Sequence, residues 1–232
     1  MTTRIVEVRR NLLRKNDAAA AVLRERYRAA AVAVISLVSS PGAGKTAFLE
    51  RTLALLSPTR RVAALVGDLA TDNDAAHLRR TGVPVRQITT GTICHLDAGM
   101  VAAALDGWRL EALDMLFVEN VGNLVCPASY DLGEDTRAVL LSVTEGEDKP
   151  LKYPTIFNTA DVIVVTKMDM AAAARFDRAA LREHLRRVCP GVDVIEVSAL
   201  TDRGMDAWLH WLARRGRDVR PAAPPQPLPG PA

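Results

Sequence analysis

The sequence predicts an α/β fold in which a mostly parallel β-sheet is flanked by helices. Seven short apolar runs alternate along the chain with stretches of helical composition. These runs are rich in β-branched residues and lack polar alternation, which is typical of parallel strands buried on both faces. Right-handed crossovers place the loops that follow such strands on one edge of the sheet, so functional residues are expected there. The predicted strands are Ala33–Val38, Val62–Val66, Val83–Ile88, Met115–Val118, Val139–Val143, Val162–Val165 and Val192–Val197.

Length and composition limit the possible classes of protein. With 232 residues, 49% of them hydrophobic, the chain has the size of one α/β domain. A net charge of +3 and 4% aromatic residues argue against a nucleic-acid partner, and apolar runs of strand length argue against a membrane span. Three widely spaced cysteines predict a reducing, cytoplasmic setting. We expect a helical segment at residues 1–30, a nucleotide-binding domain at 31–215 and a disordered proline-rich tail at 216–232.

The first predicted strand runs directly into the sequence SSPGAGKT at residues 39–46. A nucleoside triphosphate needs converging backbone N–H groups, a glycine-rich turn and a helix N-terminus. Lys45 is predicted to reach the β- and γ-phosphates as a catalytic residue, and the Thr46 hydroxyl to bind magnesium. Ser39 stands where this pattern usually begins with glycine. The predicted phosphate-binding residues are Gly42, Ala43, Gly44, Lys45, Thr46 and Ala47.

Carboxylates follow two further strands at the same predicted edge. Asp68 closely follows the second strand, with Asp74 a short distance beyond, and Glu119 closes the fourth strand. An acidic residue at the end of a buried strand beside a phosphate-binding loop is the usual second anchor for magnesium. Aspartate is commoner than glutamate there, so Glu119 departs from the usual pattern.

The loops after the sixth and seventh strands predict a guanine site. The run Thr166-Lys167-Met168-Asp169 resembles the guanine-recognition motif of GTPases, in which the aspartate accepts hydrogen bonds from the base and the lysine stem lies along it. Thr166 stands where asparagine is usual. Ser198 and Ala199 resemble the companion loop whose backbone N–H meets the guanine O6. Adenine presents the wrong edge to such a carboxylate, so GTP and GDP are the predicted nucleotides.

Two cysteines and a histidine lie in positions that core packing does not explain. Cys94 and His95 follow the third strand, at the predicted start of a helix, and Cys126 follows the loop after Glu119. Thiolate and imidazole ligands suit zinc or nickel. Three ligands are too few for a closed structural site, so the fourth is left open between water, a ligand from a partner and the twin site across a dimer axis.

Together these motifs resemble the HypB family, the GTPases that help insert nickel into [NiFe]-hydrogenase. The resemblance covers about residues 35–212 and is most specific in the run ENVGNLVCP at residues 119–127. Further stretches that carry it are Gly67-Asp68 with Asp74-Ala75, Thr92 to Ala98, Asp131 to Glu134 and Thr144 to Pro150. It implies a P-loop NTPase fold of the dimerising, SIMIBI-like GTPase type, with slow hydrolysis of GTP. It further implies a homodimer, a HypA-type nickel and zinc protein as partner, and the hydrogenase large subunit as recipient.

The resemblance also implies roles for individual residues. Cys94, His95 and Cys126 match the nickel or zinc ligands of the GTPase domain. Thr46, Asp74 and Glu119 would hold magnesium, and Asp68 would orient the attacking water, although the split of roles between Asp68 and Asp74 is left open. The cysteine-rich and histidine-rich nickel motifs of many members find no match, because the first cysteine is Cys94 and the sequence has four histidines. We therefore expect the GTPase-domain site to be the only metal site.

Three other functions compete with this interpretation. A urease-type nickel GTPase places cysteine, proline and histidine together as a triplet, whereas Cys94-His95 and Cys126-Pro127 are separate here. An ATP-dependent P-loop small-molecule kinase would share the phosphate-binding loop, but the Thr166–Asp169 motif argues against it. A nucleotide-gated scaffold would bind GTP without turnover. Which metal the protein carries, and in which order metal and GTP act, is not fixed by the sequence.

Overall fold

The computed structural model describes residues 2–69 and 73–215. Its seven strands form one sheet of order β3-β2-β4-β1-β5-β6-β7, and each described pair of neighbours is parallel. The strands are β1 (Ala33–Ser39), β2 (Val62–Asp68), β3 (Val85–Thr89), β4 (Met115–Glu119), β5 (Thr136–Ser142), β6 (Val162–Thr166) and β7 (Asp193–Glu196). The predicted parallel α/β fold is confirmed.

Helices connect the strands and cover both faces of the sheet. They are α1 (Thr2–Ala30), α2 (Lys45–Leu56), α3 (Asn73–Arg79), α4 (Ala98–Ala104), α5 (Lys149–Lys152), α6 (Pro154–Asn158), α7 (Arg178–Val188) and α8 (Met205–Arg215). The proline-rich tail predicted for residues 216–232 lies outside the described residues. Within the described residues, no helix combines the length and the apolar character that a membrane span requires.

Strand residues alternate between two cores, because successive side chains point to opposite faces of a sheet. Ile35 of β1 packs in a core with Phe48 of α2 and Trp208 of α8. Val34, its neighbour, packs on the other face with Leu23 of α1 and Val101 of α4. The sheet is therefore buried on both faces, as its β-branched composition predicts.

The strand boundaries differ from the sequence prediction by one or two residues at most of the ends, and two strands start two or more residues away from the predicted start. β3 begins at Val85 rather than Val83, since Pro84 lacks the N–H that a ladder needs and contributes only its carbonyl oxygen, which accepts from Ala64 N. β5 begins at Thr136 rather than Val139. Its second residue, Arg137, is held by an ion pair with Glu134 at 2.7 Å, so a charged residue is accommodated in a strand that apolar patterning alone would shorten.

The topology brings the functional loops to one edge. β4 lies between β1 and β2, with Leu37 of β1 and Val66 of β2 both in register with Glu119. The phosphate-binding loop after β1, Asp68 at the end of β2 and Glu119 at the end of β4 therefore emerge side by side. β5 and β6 continue the sheet on the other side of β1, which places the Thr166–Asp169 loop at the same edge.

Candidate functional site

The loop between β1 and α2 has the geometry of a phosphate cradle. Gly42 and Gly44 adopt φ angles of 73° and 88°, in the left-handed region that favours glycine, and α2 begins at the next residue, Lys45. Lys45 is 8% exposed, and its ammonium donates to Ser39 Oγ at 3.0 Å. Burial lowers the pKa of Lys45, while nearby carboxylates, Glu119 foremost, oppose that shift. Ser39 thus orients the lysine from the position where glycine is usual, a role that the sequence alone does not reveal.

Beside this loop, the half-buried Thr46 and the buried Glu119 form a hydrogen-bonded oxygen pair. Thr46 Oγ1 donates to Glu119 Oε1 at 2.8 Å. Glu119 is 2% exposed, and no hydrogen-bond partner for its Oε2 is found within the described part of the chain. Burial raises the pKa of the Glu119 carboxyl to about 7, although the Lys45 ammonium acts to lower it. A hydroxyl and an orphaned carboxylate oxygen are the hard ligands that magnesium prefers, so these residues fit that ion.

The two aspartates of the predicted site reach the same cleft. Asp68 and Asp74 line it together with Lys45, Thr46 and Glu119. Asp68 Oδ1 accepts from the Leu69 backbone N–H at 2.6 Å, which holds the carboxylate at the end of β2. The arrangement collects a lysine, a threonine and three carboxylates where the phosphates of a nucleotide would lie.

The candidate guanine loops contact the phosphate-binding loop directly. Thr166 Oγ1 donates to Ala43 O at 2.6 Å and Lys167 Nζ donates to Gly42 O at 2.7 Å. Asp169 is exposed, and its Oδ1 accepts from the buried Ser198 Oγ at 2.6 Å. Threonine therefore ties this loop to the phosphate-binding loop, and the serine fixes the carboxylate rotamer. Ala199 follows Ser198 in the second loop and is half-buried, whereas Ala47 lies exposed on the first turn of α2.

The predicted metal ligands converge in a second cluster. One ligand atom from each of Cys94, His95 and Cys126 lies within 4.8 Å of the others, and the two sulfur atoms are 3.1 Å apart. His95 Nδ1 is buried, with no hydrogen-bond partner among the described residues. Burial lowers the pKa of His95, against the charge of Asp97, which favours the neutral imidazole that metals bind. The Tyr130 ring contacts the histidine ring with centroids 3.9 Å apart.

The local setting of Cys94 and His95 differs from the prediction. Helix α4 begins at Ala98, where Asp97 is the N-cap and accepts from Met100 N at 2.8 Å. The placement of Cys94-His95 at the start of a helix is therefore wrong, because the capping aspartate comes after both ligands. They lie in an irregular loop between β3 and α4.

A short loop joins the two clusters. Asn120 is 2% exposed and its Oδ1 accepts from Leu96 N at 3.0 Å and Val121 N at 2.9 Å. Asn123 Nδ2 donates to Cys94 O at 3.2 Å. A Cβ on Gly122 would lie 2.9 Å from the backbone Cα of Pro41, so only glycine allows this close approach to the phosphate-binding loop. The loop that leads from Glu119 to Cys126 thus contacts both clusters.

Sequence reasoning missed the two asparagines as connectors. Their signal was weak but present, since both are amides in a loop that directly follows a buried strand. Side-chain amides in such loops form hydrogen bonds with nearby and with distant backbone groups. Position in the sequence therefore does not show which kind of hydrogen bond an asparagine makes.

Comparison with known proteins places these features in a group. The nucleotide-binding domain of the CobW/HypB/UreG family matches residues 33–196. The hydrogenase maturation factor HypB of Azotobacter vinelandii is 50% identical over 94% of this chain and 72% of its own length. The Helicobacter pylori hydrogenase/urease maturation factor HypB is 39% identical over 92% of this chain and 89% of its own. The crystal structure of HypB from Helicobacter pylori in complex with nickel aligns with a TM-score of 0.83 and 41% identity, covering 88% of this chain and 96% of that one.

Proposed function

The chain belongs to the HypB family of P-loop GTPases, within the CobW/HypB/UreG group, and we propose that it couples GTP hydrolysis to nickel transfer during maturation of a [NiFe]-hydrogenase. The observation that carries the proposal is that the nucleotide cleft and the thiol cluster are joined by one short loop. A carboxylate of the nucleotide cleft, Glu119, and a ligand of the thiol cluster, Cys126, are the two ends of one short loop that contacts both sites.

The nucleotide cleft supports phosphoryl transfer from GTP to water. In that reaction a water oxygen attacks the γ-phosphorus, and the bond to the oxygen bridging the β- and γ-phosphates breaks to release GDP and phosphate. Lys45, held by Ser39, would balance the charge that develops on the phosphate oxygens. Asp68, fixed at the strand end, would orient the water. The enzyme mainly positions groups, so turnover by the isolated chain is expected to be slow.

Magnesium would be held by Thr46 and Glu119, with Asp74 in the same cleft. When bound, this ion neutralises phosphate charge and offsets the cost of burying the Glu119 carboxylate. Binding a cation there requires the ionised carboxylate, whereas burial favours the protonated form. Before the cation binds, the buried Glu119 carboxyl is therefore only partly ionised near neutral pH.

Guanine selection would fall to Asp169. Its carboxylate is exposed, has a fixed rotamer and lies in a loop tied to the phosphate cradle through Thr166. Two donors on the guanine edge pair with such a carboxylate, whereas adenine offers an acceptor there. Lys167 and the loop of Ser198 and Ala199 would complete the base site.

Nickel, the cargo, would bind Cys94, His95 and Cys126, and zinc is a competitor for the same ligands. The fourth position would be filled by water or from a second copy of the chain. We assign the protein a homodimeric state, a HypA-type nickel and zinc protein as partner and the hydrogenase large subunit as recipient. Because thiolate ligands must stay reduced, we place the protein in the cytoplasm.

The experiment is a nickel titration of the full chain followed by calorimetry and near-ultraviolet absorption, alongside a GTP turnover assay. We expect one nickel per chain by calorimetry, together with thiolate charge-transfer bands. The Cys126→Ser variant should lose both the calorimetric binding signal and these bands. The matched control is Cys189→Ala, which alters a buried cysteine outside the cluster. Nickel binding that persists in Cys126→Ser, or a wild-type chain without GTP turnover even in the presence of the partner, would contradict the proposal.

A further inference from the structure

Asn16 is a buried polar residue on the core-facing side of α1. It continues the stripe formed by Ala20, Leu23 and Tyr27 and is itself 6% exposed. Its side-chain amide is used at both ends: Oδ1 accepts from Ala98 N at 2.9 Å, and Nδ2 donates to Asp131 O at 2.9 Å. Burying a side-chain amide costs free energy unless it is hydrogen-bonded, so these two hydrogen bonds offset the cost of placing asparagine rather than an apolar residue here.

The two backbone groups that Asn16 holds belong to the two segments that carry the metal ligands. Ala98 is the first residue of α4 and lies shortly after Cys94 and His95. Asp131 lies shortly after Cys126 and directly after Tyr130, whose ring contacts His95. A single carboxamide therefore links the backbone of the two ligand-bearing segments, in addition to the Asn120 and Asn123 contacts.

A second contact strengthens the same connection. Arg24, two turns further along α1, donates to both carboxylate oxygens of Asp131 at 2.8 and 2.7 Å. Asp131 Oδ1 also accepts from Gly133 N at 2.7 Å, which fixes the turn after the Cys126 segment. Helix α1 is thereby bonded to the cluster's supporting loops through two of its residues.

We propose that Asn16 is a positioning residue for the metal cluster, setting the separation between the Cys94-His95 segment and the Cys126 segment. Displacement of helix α1 would then change the nickel affinity, because it would strain the backbone groups next to the ligands. The inference rests on the proposed function, since it takes this cluster as the nickel site. It assigns to α1 a role that extends beyond packing against the sheet.

The test compares nickel affinity and the thiolate charge-transfer spectrum of the full chain with those of Asn16→Leu. This change keeps the number and branching of the side-chain heavy atoms and removes both hydrogen bonds. We expect nickel affinity to fall about tenfold or more, as for other outer-shell ligand supports, with altered band positions. GTP affinity measured without nickel should stay unchanged. Asn16→Asp keeps an acceptor for Ala98 N but places a carboxylate against Asp131 O, so we expect a loss of affinity in this variant as well.

The matched control is Arg26→Gln, which removes the hydrogen bond from Arg26 Nη2 to Leu105 O at the other end of α4. It loosens α1 without touching the cluster segments, and we expect normal nickel binding. Wild-type nickel affinity and spectrum in Asn16→Leu, or in Asn16→Asp should the leucine variant not fold, would overturn the inference. An equal loss in Arg26→Gln would overturn it too, by showing a general effect of stability. A wild-type chain that binds no nickel at the cluster would overturn the proposed function as well, which separates the two failures.

Discussion

The nucleotide cleft and the metal cluster lie at the same edge of the sheet but are held in place differently. The cleft is built on the ends of adjacent parallel strands, where the register of β1 and β2 with β4 fixes Glu119 among its neighbours. The cluster is built on irregular segments whose backbone is held by the side chains of three asparagines, Asn120, Asn123 and Asn16. Strand register is fixed by a whole ladder of backbone hydrogen bonds, whereas the segments of the cluster depend on a few side-chain amide hydrogen bonds. We therefore expect the metal cluster to be the part that responds to the nucleotide.

The contact at Gly122 connects the nucleotide cleft to the loop that leads to the metal cluster. The phosphate-binding loop and the loop after β4 approach so closely at Pro41 that a Cβ on Gly122 would collide with its backbone. We therefore propose that a change at the phosphates is passed through this contact to the loop that ends in Cys126. Such coupling needs two arrangements of the loop, and it must act equally in both directions.

The largest expected effect comes from a mutation in the nucleotide cleft, the one of the two sites that is built on strand ends. Lys45→Ala removes the buried ammonium that Ser39 orients, and we expect GTP turnover to fall about a hundredfold or more, with most triphosphate affinity lost. Nickel binding without nucleotide should be unchanged, because Lys45 does not contact the cluster. The matched control is Lys152→Ala, which removes an exposed lysine paired with Asp148. Normal turnover with an unchanged circular dichroism spectrum would contradict the assignment of the phosphate-binding loop.

A smaller effect concerns base selection. Asp169→Asn keeps an oxygen for the Ser198 hydroxyl but replaces an acceptor with an amide donor, so preference should move from guanine toward xanthine nucleotides. The loss of GTP affinity is expected to be about tenfold to a hundredfold, the range for one or two hydrogen bonds to a charged group. Displacement of a fluorescent nucleotide measures it. Asp202→Asn, at an exposed carboxylate paired with Arg51, is the control, and equal GTP affinity in the two variants would show that Asp169 does not contact the base.

The pKa of Glu119 predicts an effect on stability. Burial raises it to about 7 in the folded protein, whereas it is about 4.3 in an unfolded chain. Between these values the folded state binds the extra proton, so the stability of the protein free of magnesium and nucleotide should fall as pH rises through this window. Glu119→Gln removes that dependence and should stabilise the protein at pH about 8 by on the order of 1–3 kcal/mol, with little difference at pH about 4.

Urea unfolding at several pH values measures this difference, with Glu25→Gln on the exposed face of α1 as the control. The same Glu119→Gln variant should lose magnesium-dependent GTP affinity, because the neutral side chain is a poor magnesium ligand. A stability difference that does not grow between the low and the high pH would mean that the carboxylate is ionised at no cost in the folded protein.

The smallest effect addresses the connection itself. Asn123→Asp keeps the acceptor for Val125 N and loses the donor to Cys94 O, so the loop would still fold but its hold on the cysteine would weaken. We expect the influence of GTP on nickel affinity to shrink several-fold, with nickel-free turnover unchanged. Full coupling in this variant would place the connection elsewhere, through Asn120 or Gly122.

The residues of the nucleotide cleft could be predicted from the sequence, whereas the residues that support the metal cluster could not. Lys45, Thr46 and Glu119 follow from a strand, a loop and a strand end, because parallel topology alone brings such residues together. Cys94, His95 and Cys126 could be grouped by ligand chemistry and by lying beyond strand ends. Their supports could not, since Asn16 acts across more than eighty residues of chain, and such contacts leave no local pattern. Boundaries failed where a single residue overrode the pattern, as Pro84 does at β3.

The central claim is that nucleotide state and metal affinity are linked through the loop from Glu119 to Cys126. The direct measurement is the nickel affinity of the full chain in three states: without nucleotide, with GDP, and with a non-hydrolysable GTP analogue. We expect the three nickel affinities to differ by about 5-fold to 150-fold, and nickel to change the affinity for the analogue by the same factor. Equal nickel affinity in all three states, with the cysteine ligands intact and GTP turnover normal, would contradict it.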